Sequence, residues 1–86
     1  MDIYGEAEAL IADLEAANEP ADAEAIRQSM LSGSVGTEIL LNLRFELQQI
    51  RKRDFVARLQ LEDRIRNLIA EIERAIQRAG PFIFRD

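Results

Sequence analysis

The chain has 86 residues, of which 48% are apolar and 31% are charged, and its formal net charge is −5. This composition is typical of one ordinary globular domain and excludes a disordered or fibrous chain. Cysteine and histidine are both absent, so disulfides, thiol chemistry, zinc sites of the usual kind and imidazole catalysis are excluded. We therefore expect a single domain, residues 1–86, that is not an enzyme and uses no cofactor or metal.

The size of the chain and its apolar runs bear on stability and location. A domain this short buries only about 60–65% of its unfolded surface, so its core is marginal without a second subunit or very good packing. The N-terminal residues are acidic, and no apolar run approaches the length of a membrane span. We expect no signal peptide, no membrane contact and a cytoplasmic location.

Helical periodicity begins at the start of the chain. Apolar residues from Ile3 to Ala17 recur on one helical face, which predicts a first helix over 3–17. Asn18-Glu19-Pro20 ends it, because proline disfavours the α conformation in the residue before it. A short second helix is predicted at about 21–31.

Residues 32–37, Ser-Gly-Ser-Val-Gly-Thr, form the clearest break in the chain. Either Ser34 or Thr37 is expected to cap the next helix. The segment also suggests a phosphate-binding loop, but it lacks a lysine and has no preceding strand, so a structural turn between helices is the better interpretation.

No glycine or proline occurs from 37 to 79, yet the apolar pattern changes partway. One stripe includes Leu43 and Leu47, a second runs from Leu61 to Ala79, and the charged residues 51–54 separate them. This pattern favours a turn near 52–56 with Asp54 as N-cap, and the alternative is one continuous helix in a dimeric coiled coil. The predicted fold is all-α: an antiparallel bundle of about four helices, two short and two long.

Some apolar residues lie off these stripes, which leaves two interpretations open. Either the third helix is central and covered on both flanks, or a surplus patch pairs with another chain. The C-terminal segment 80–86 is apolar and is expected to pack on the bundle or on a partner. The candidate interface residues are Leu41, Phe45, Phe55, Leu59, Phe82 and Phe84.

Charge is distributed unevenly along the chain. Residues 1–43 carry nine acids and one base, net −8, whereas residues 44–86 carry ten bases and seven acids, net +3. Complementary helices within one bundle are the favoured explanation. The basic cluster Arg51, Lys52, Arg53 and Arg58 is accordingly interpreted as a solvated tip or a contact with the acidic first helix, and nucleic-acid binding is not expected.

The stretch Leu31-Ser32-Gly33-Ser34-Val35-Gly36-Thr37-Glu38-Ile39-Leu40, continuing to Leu43 and Leu47, resembles small helical immunity proteins of bacterial toxin systems. In those proteins a glycine-containing turn leads into an apolar helix that bears a glutamate. The resemblance implies an acidic protein that neutralises a basic partner such as a toxin. The acids that would act in this way are Glu6, Asp13, Glu15, Asp22 and Glu24.

Two functions are therefore expected. The first is a non-enzymatic protein-interaction module that forms a homodimer through the surplus apolar face. The alternative is an acidic immunity or inhibitor protein bound to a basic protein. Neither involves a small-molecule substrate.

Overall fold

The computed structural model describes residues 1–33 and 35–79, and this part of the chain forms five α-helices and no strand. They are α1 (Ile3–Ala16), α2 (Pro20–Leu31), α3 (Gly36–Ile50), α4 (Asp54–Arg58) and α5 (Glu62–Arg78). The predicted all-α bundle is confirmed. Its four main helices span 12 to 17 residues, so they differ less in length than expected, because the last predicted helix is divided into α4 and α5.

The turn between α1 and α2 forms where Asn18-Glu19-Pro20 predicts it. Asn18 adopts a left-handed backbone with φ 64°, a conformation that asparagine tolerates better than most residues. The Glu19 N–H donates to the Leu14 carbonyl at 2.8 Å, which closes the end of α1. Pro20 then occupies the first position of α2, where its missing N–H has no cost.

The predicted interruption near residue 54 is present, and a second one follows it. Residues 51–53 form a turn after α3, which excludes one continuous helix. Gln60 then adopts φ 58°, and the Leu61 N–H donates to the Val56 carbonyl at 2.9 Å. This second turn separates α4 from α5 and explains why Phe55 and Val56 lie out of register with the stripe that begins at Leu61.

Both predicted N-caps are wrong. Arg53 and Val35 precede α4 and α3 with extended backbones, and neither makes a side-chain capping hydrogen bond. Asp54 is the first residue of α4, and Thr37 is the second residue of α3. Ser34 lies outside the described residues.

The four main helices stand at the corners of a bundle, in the order α1, α2, α3, α5, with α5 returning to α1. The apolar stripes predicted for α1 and α5 are buried except at their ends, where Ile3 and Ala17 are half-buried and Ala79 is exposed. Residues of α2, α3 and α4 complete one core. No helix in the described ranges has the length and apolarity needed to span a bilayer. The buried apolar residues are Ala7, Leu10, Ile11, Leu14, Ala23, Ile26, Leu43, Leu47, Ile50, Phe55, Val56, Leu61, Ile65, Leu68, Ile69, Ile72 and Ile76.

Ion pairs join the acidic first half of the chain to the basic second half, as the charge distribution predicts. Arg53 Nε lies 3.2 Å from Asp22 Oδ2, and Arg58 Nη2 lies 3.8 Å from Glu19 Oε2. A third pair links Arg64 on α5 to Asp13 on α1. The arginine of each pair is exposed to solvent, so each pair contributes about 1 kcal/mol or less. These contacts therefore affect the orientation of the helices more than their stability.

Candidate protein-interaction surface

Phe45 is the most exposed aromatic residue of the described part of the chain, with 58% of its area exposed, compared with 39% for Tyr4. The buried side of α3 is formed by Leu43, Leu47 and Ile50. At about 100° per residue, Phe45 points almost directly away from the centre of this buried side. The sequence therefore places a large apolar side chain on the side of α3 that faces away from the core.

The other predicted interface residues do not join Phe45 in one exposed patch. Leu41 and Leu59 are half-buried and pack against the core. Phe55 is only 6% exposed and belongs to the core, because the turn at Gln60 lets the short α4 direct its apolar side inward. Phe82 and Phe84 lie outside the described residues, as does the whole predicted tail 80–86.

A cleft of about 300 Å³ lies beside Phe45, between α2 and α3. Small side chains on α2 leave this space open, and their polar groups are satisfied locally. The Ser29 hydroxyl donates to the Ala25 carbonyl at 2.9 Å, and Asn42 Nδ2 donates to Ser32 Oγ at 3.1 Å. An exposed aromatic ring thus stands next to a depression with mixed apolar and polar walls.

We define the α3 outer face as the residues whose directions lie within about 60° of Phe45 around the helix axis. Its charged members stand at its two ends, Glu38 and Lys52, and both are exposed. Lys52 follows α3 closely because Arg51 keeps an α conformation and the Lys52 N–H donates to the Gln49 carbonyl. The remaining members of the face are Leu41, Asn42, Gln48 and Gln49.

The charged residues beside Phe45 in sequence point to the flanks of this face. Arg44 and Glu46 lie about 100° to either side of Phe45. Arg44 is half-buried, and its Nη1 lies 3.7 Å from Glu73 Oε2 on α5. The centre of the α3 outer face is therefore uncharged.

The α1–α2 groove is a second surface, and the sequence pattern did not indicate it. It has a volume of about 410 Å³, and Leu31, 72% exposed, stands at its edge beside the half-buried Met30. Leu31 ends α2 next to a glycine break. Its position outside the apolar stripe of α2 was the signal that could have indicated this groove.

Most acids assigned to a basic partner by the resemblance already have a partner within the chain. Asp13 and Asp22 pair with α5 and the α3–α4 turn, and Arg27 bridges Glu15 and Glu24. Hydrogen bonds from Gln28 and then from Arg27 lower the pKa of Glu24 below its ordinary value. Among the described residues, Glu6 is the one acid of this set that has no ion-pair partner.

The basic cluster is also largely neutralised. Arg53 and Arg58 contact acids of the first half of the chain, and Arg51 Nε lies 3.6 Å from Glu62 Oε1. Lys52 has no ion-pair partner within residues 1–33 and 35–79. The acidic partners of the cluster lie in the α1–α2 turn, on α2 and on α5, so the predicted contact with the first helix is wrong. All four basic residues are exposed, as the alternative of a solvated tip predicts.

Over the described residues, no group of three or more acidic side chains is arranged to hold a metal ion. In the same residues, no buried side-chain polar atom lacks a hydrogen-bond partner. Comparison with protein-family models, curated proteins and solved structures gives no match to this chain. The described residues form a small all-α bundle in which Phe45 of α3 is exposed on the side opposite the core.

Proposed function

We propose that this protein is an interaction module that forms a homodimer through the α3 outer face. The observation that carries the proposal is the exposure of Phe45 at the uncharged centre of the α3 outer face. Burying apolar area gives about 25 cal/mol per Å², and aromatic anchors in uncharged surroundings are typical of the centres of protein interfaces.

The geometry around Phe45 further supports self-association. In a symmetric dimer, each residue of the surface meets the same surface of the second copy. The ring of Phe45 and the cleft beside it therefore offer a projection and a depression on one self-complementary patch. A chain of 86 residues without disulfides also gains stability from association, because its own core is small.

An acidic inhibitor of a basic protein is the second candidate. It is supported by Glu6 and Glu8 on α1, which form no ion pair within the described part of the chain. Glu8 lines the α1–α2 groove beside the exposed Leu31. A basic partner with an apolar side chain would fit this groove, whereas the α3 outer face would then have no role.

Sedimentation equilibrium of the purified chain, over a concentration series that reaches hundreds of micromolar, tests the homodimer. We expect a monomer–dimer equilibrium for the natural sequence. Phe45→Asp is expected to weaken the dimer by about a hundredfold or more, because it buries an uncompensated charge. Its far-ultraviolet circular dichroism should remain helical, since Phe45 does not contribute to the core.

Leu31→Asp is the matched control, because it places the same charge at an exposed leucine outside the α3 outer face. It should dimerise like the natural chain. A natural chain that stays monomeric throughout would contradict the proposal. A dimer that is lost in Leu31→Asp but kept in Phe45→Asp would place the interface at the α1–α2 groove instead.

A further inference from the structure

We infer that the two copies pair antiparallel along α3, with Phe45 at the twofold axis and Glu38 of each chain opposite Lys52 of the other. This inference rests on the proposed homodimer and specifies its geometry. It follows from the spacing of charges along the α3 outer face.

Glu38 precedes Phe45 by seven residues, and Lys52 follows it by seven. Seven residues are nearly two helical turns, so both side chains lie within about 20° of Phe45 and about 10 Å from it along the axis. Both are exposed, and neither forms an ion pair within the described ranges. The face therefore carries one negative and one positive end at equal distances from its aromatic centre.

A twofold axis through Phe45 and perpendicular to α3 brings the negative end of one copy to the positive end of the other. Two Glu38–Lys52 pairs then form in each dimer. A parallel arrangement would instead place Glu38 against Glu38 and Lys52 against Lys52, which is repulsive at both ends. Charge complementarity therefore selects the antiparallel orientation and a second copy of this chain as the occupant.

The residues between the charged ends are compatible with this register. Asn42 lies three residues before Phe45 and Gln48 three residues after it, about 60° to either side of its direction. They therefore lie at opposite edges of the seam and bring no charge between its two charged ends. Arg44 points away from the seam and contacts Glu73.

Charge reversal tests the register by sedimentation equilibrium. Glu38→Lys and Lys52→Glu should each weaken the dimer by about tenfold, because each replaces two attractive surface pairs with two repulsive ones. The double variant should return to within about threefold of the natural affinity. A lysine near the start of α3 and a glutamate near its end each weaken the helix by themselves. The double variant carries both of these effects, so its recovery of dimer affinity reports the restored charge pairs.

Glu8→Lys and Arg78→Glu are the matched controls, because they make the same changes in net charge at exposed positions outside the face. They should leave the dimer affinity within about threefold of the natural value. Single reversals that behave like these controls, in a chain that still dimerises, would overturn the antiparallel register and leave the homodimer in place.

Disulfide trapping gives a second, independent readout, since the natural chain contains no cysteine. A mixture of Glu38→Cys and Lys52→Cys chains should oxidise mainly to the mixed dimer linked between positions 38 and 52. Self-linked Glu38→Cys as the main product would indicate a parallel dimer and overturn the inference. Failure of the natural chain to dimerise would instead refute the proposed function on which the inference rests.

Discussion

Phe45 and Phe55 belong to the same predicted interface, yet the structure gives them opposite surroundings. Phe55 is 6% exposed and Phe45 is 58% exposed. Truncating a buried phenylalanine to alanine costs about 3–5 kcal/mol, because both the transfer free energy and the cavity contribute. The same truncation at Phe45 leaves no cavity and should cost less than about 1 kcal/mol.

The difference is large compared with the stability of a domain of this size. At about 0.05–0.15 kcal/mol per residue, the whole chain has a free energy of unfolding of about 4–13 kcal/mol. Phe55→Ala should therefore lower the urea midpoint strongly or leave the chain unfolded, while Phe45→Ala should stay close to the natural chain. Phe55→Leu, a smaller loss of volume, keeps the comparison measurable if Phe55→Ala does not fold.

Urea unfolding followed by circular dichroism at 222 nm is the assay, at concentrations low enough to keep the chain monomeric. A change of 1 kcal/mol in the free energy of unfolding shifts Tm by about 4–8 °C in a domain of this size, so thermal scans give an independent measure of the loss of stability. Equal losses for Phe45→Ala and Phe55→Ala, or a larger loss for Phe45→Ala, would refute the inward orientation of α4.

Two further predictions concern the α4–α5 turn and the surface of α5. Gln60→Gly should raise the free energy of unfolding by about 0.5–1 kcal/mol, since it removes left-handed strain from a non-glycine residue. Gln77→Gly inside α5 should lower the free energy of unfolding by a similar amount. Urea unfolding measures both variants, and a destabilised Gln60→Gly would contradict the left-handed turn at this residue. The pKa of Glu71 is below its ordinary value, chiefly through a hydrogen bond from Arg74, so its contribution to stability is present above the ordinary pKa and is lost as pH falls through the lowered one. Arg74→Met should raise the pKa of Glu71 in a carboxyl-carbon NMR titration and reduce this acid loss of stability, and an unchanged titration would show that the pair does not form in solution.

The fold was predictable wherever periodicity and strong helix breakers agree. The stripe of α5 from Leu61 to Ile76 and the stop at Pro20 follow from spacing and proline chemistry alone, and the structure confirms both. The turn at Gln60 was missed because glutamine is not a residue that favours φ above zero. Its signal is the register mismatch of Phe55 and Val56 with the stripe that begins at Leu61, which a single turn near 52–56 does not explain.

The candidate surface was only partly predictable, because residue spacing indicates the side of a helix on which a residue lies but not the direction of that helix in the bundle. Leu41 and Phe45 lie off the main stripe of α3 by rotation, and rotation within one helix can be read from sequence. The burial of Phe55 depends on the direction of α4, which is set by a turn and by packing across the bundle. The equal spacing of Glu38 and Lys52 from Phe45 can be found in the sequence. It indicates an interface only when the structure shows that this side of α3 is exposed.

Isotope-filtered nuclear Overhauser spectroscopy on an equal mixture of labelled and unlabelled chains tests the proposed interface most directly, because only contacts between copies appear. We predict interchain contacts from the ring of Phe45 to the α3 outer face of the second copy, and none from the ring of Phe55. Interchain contacts that involve the α1–α2 groove and omit Phe45, or no interchain contacts at concentrations up to hundreds of micromolar, would contradict self-association through α3.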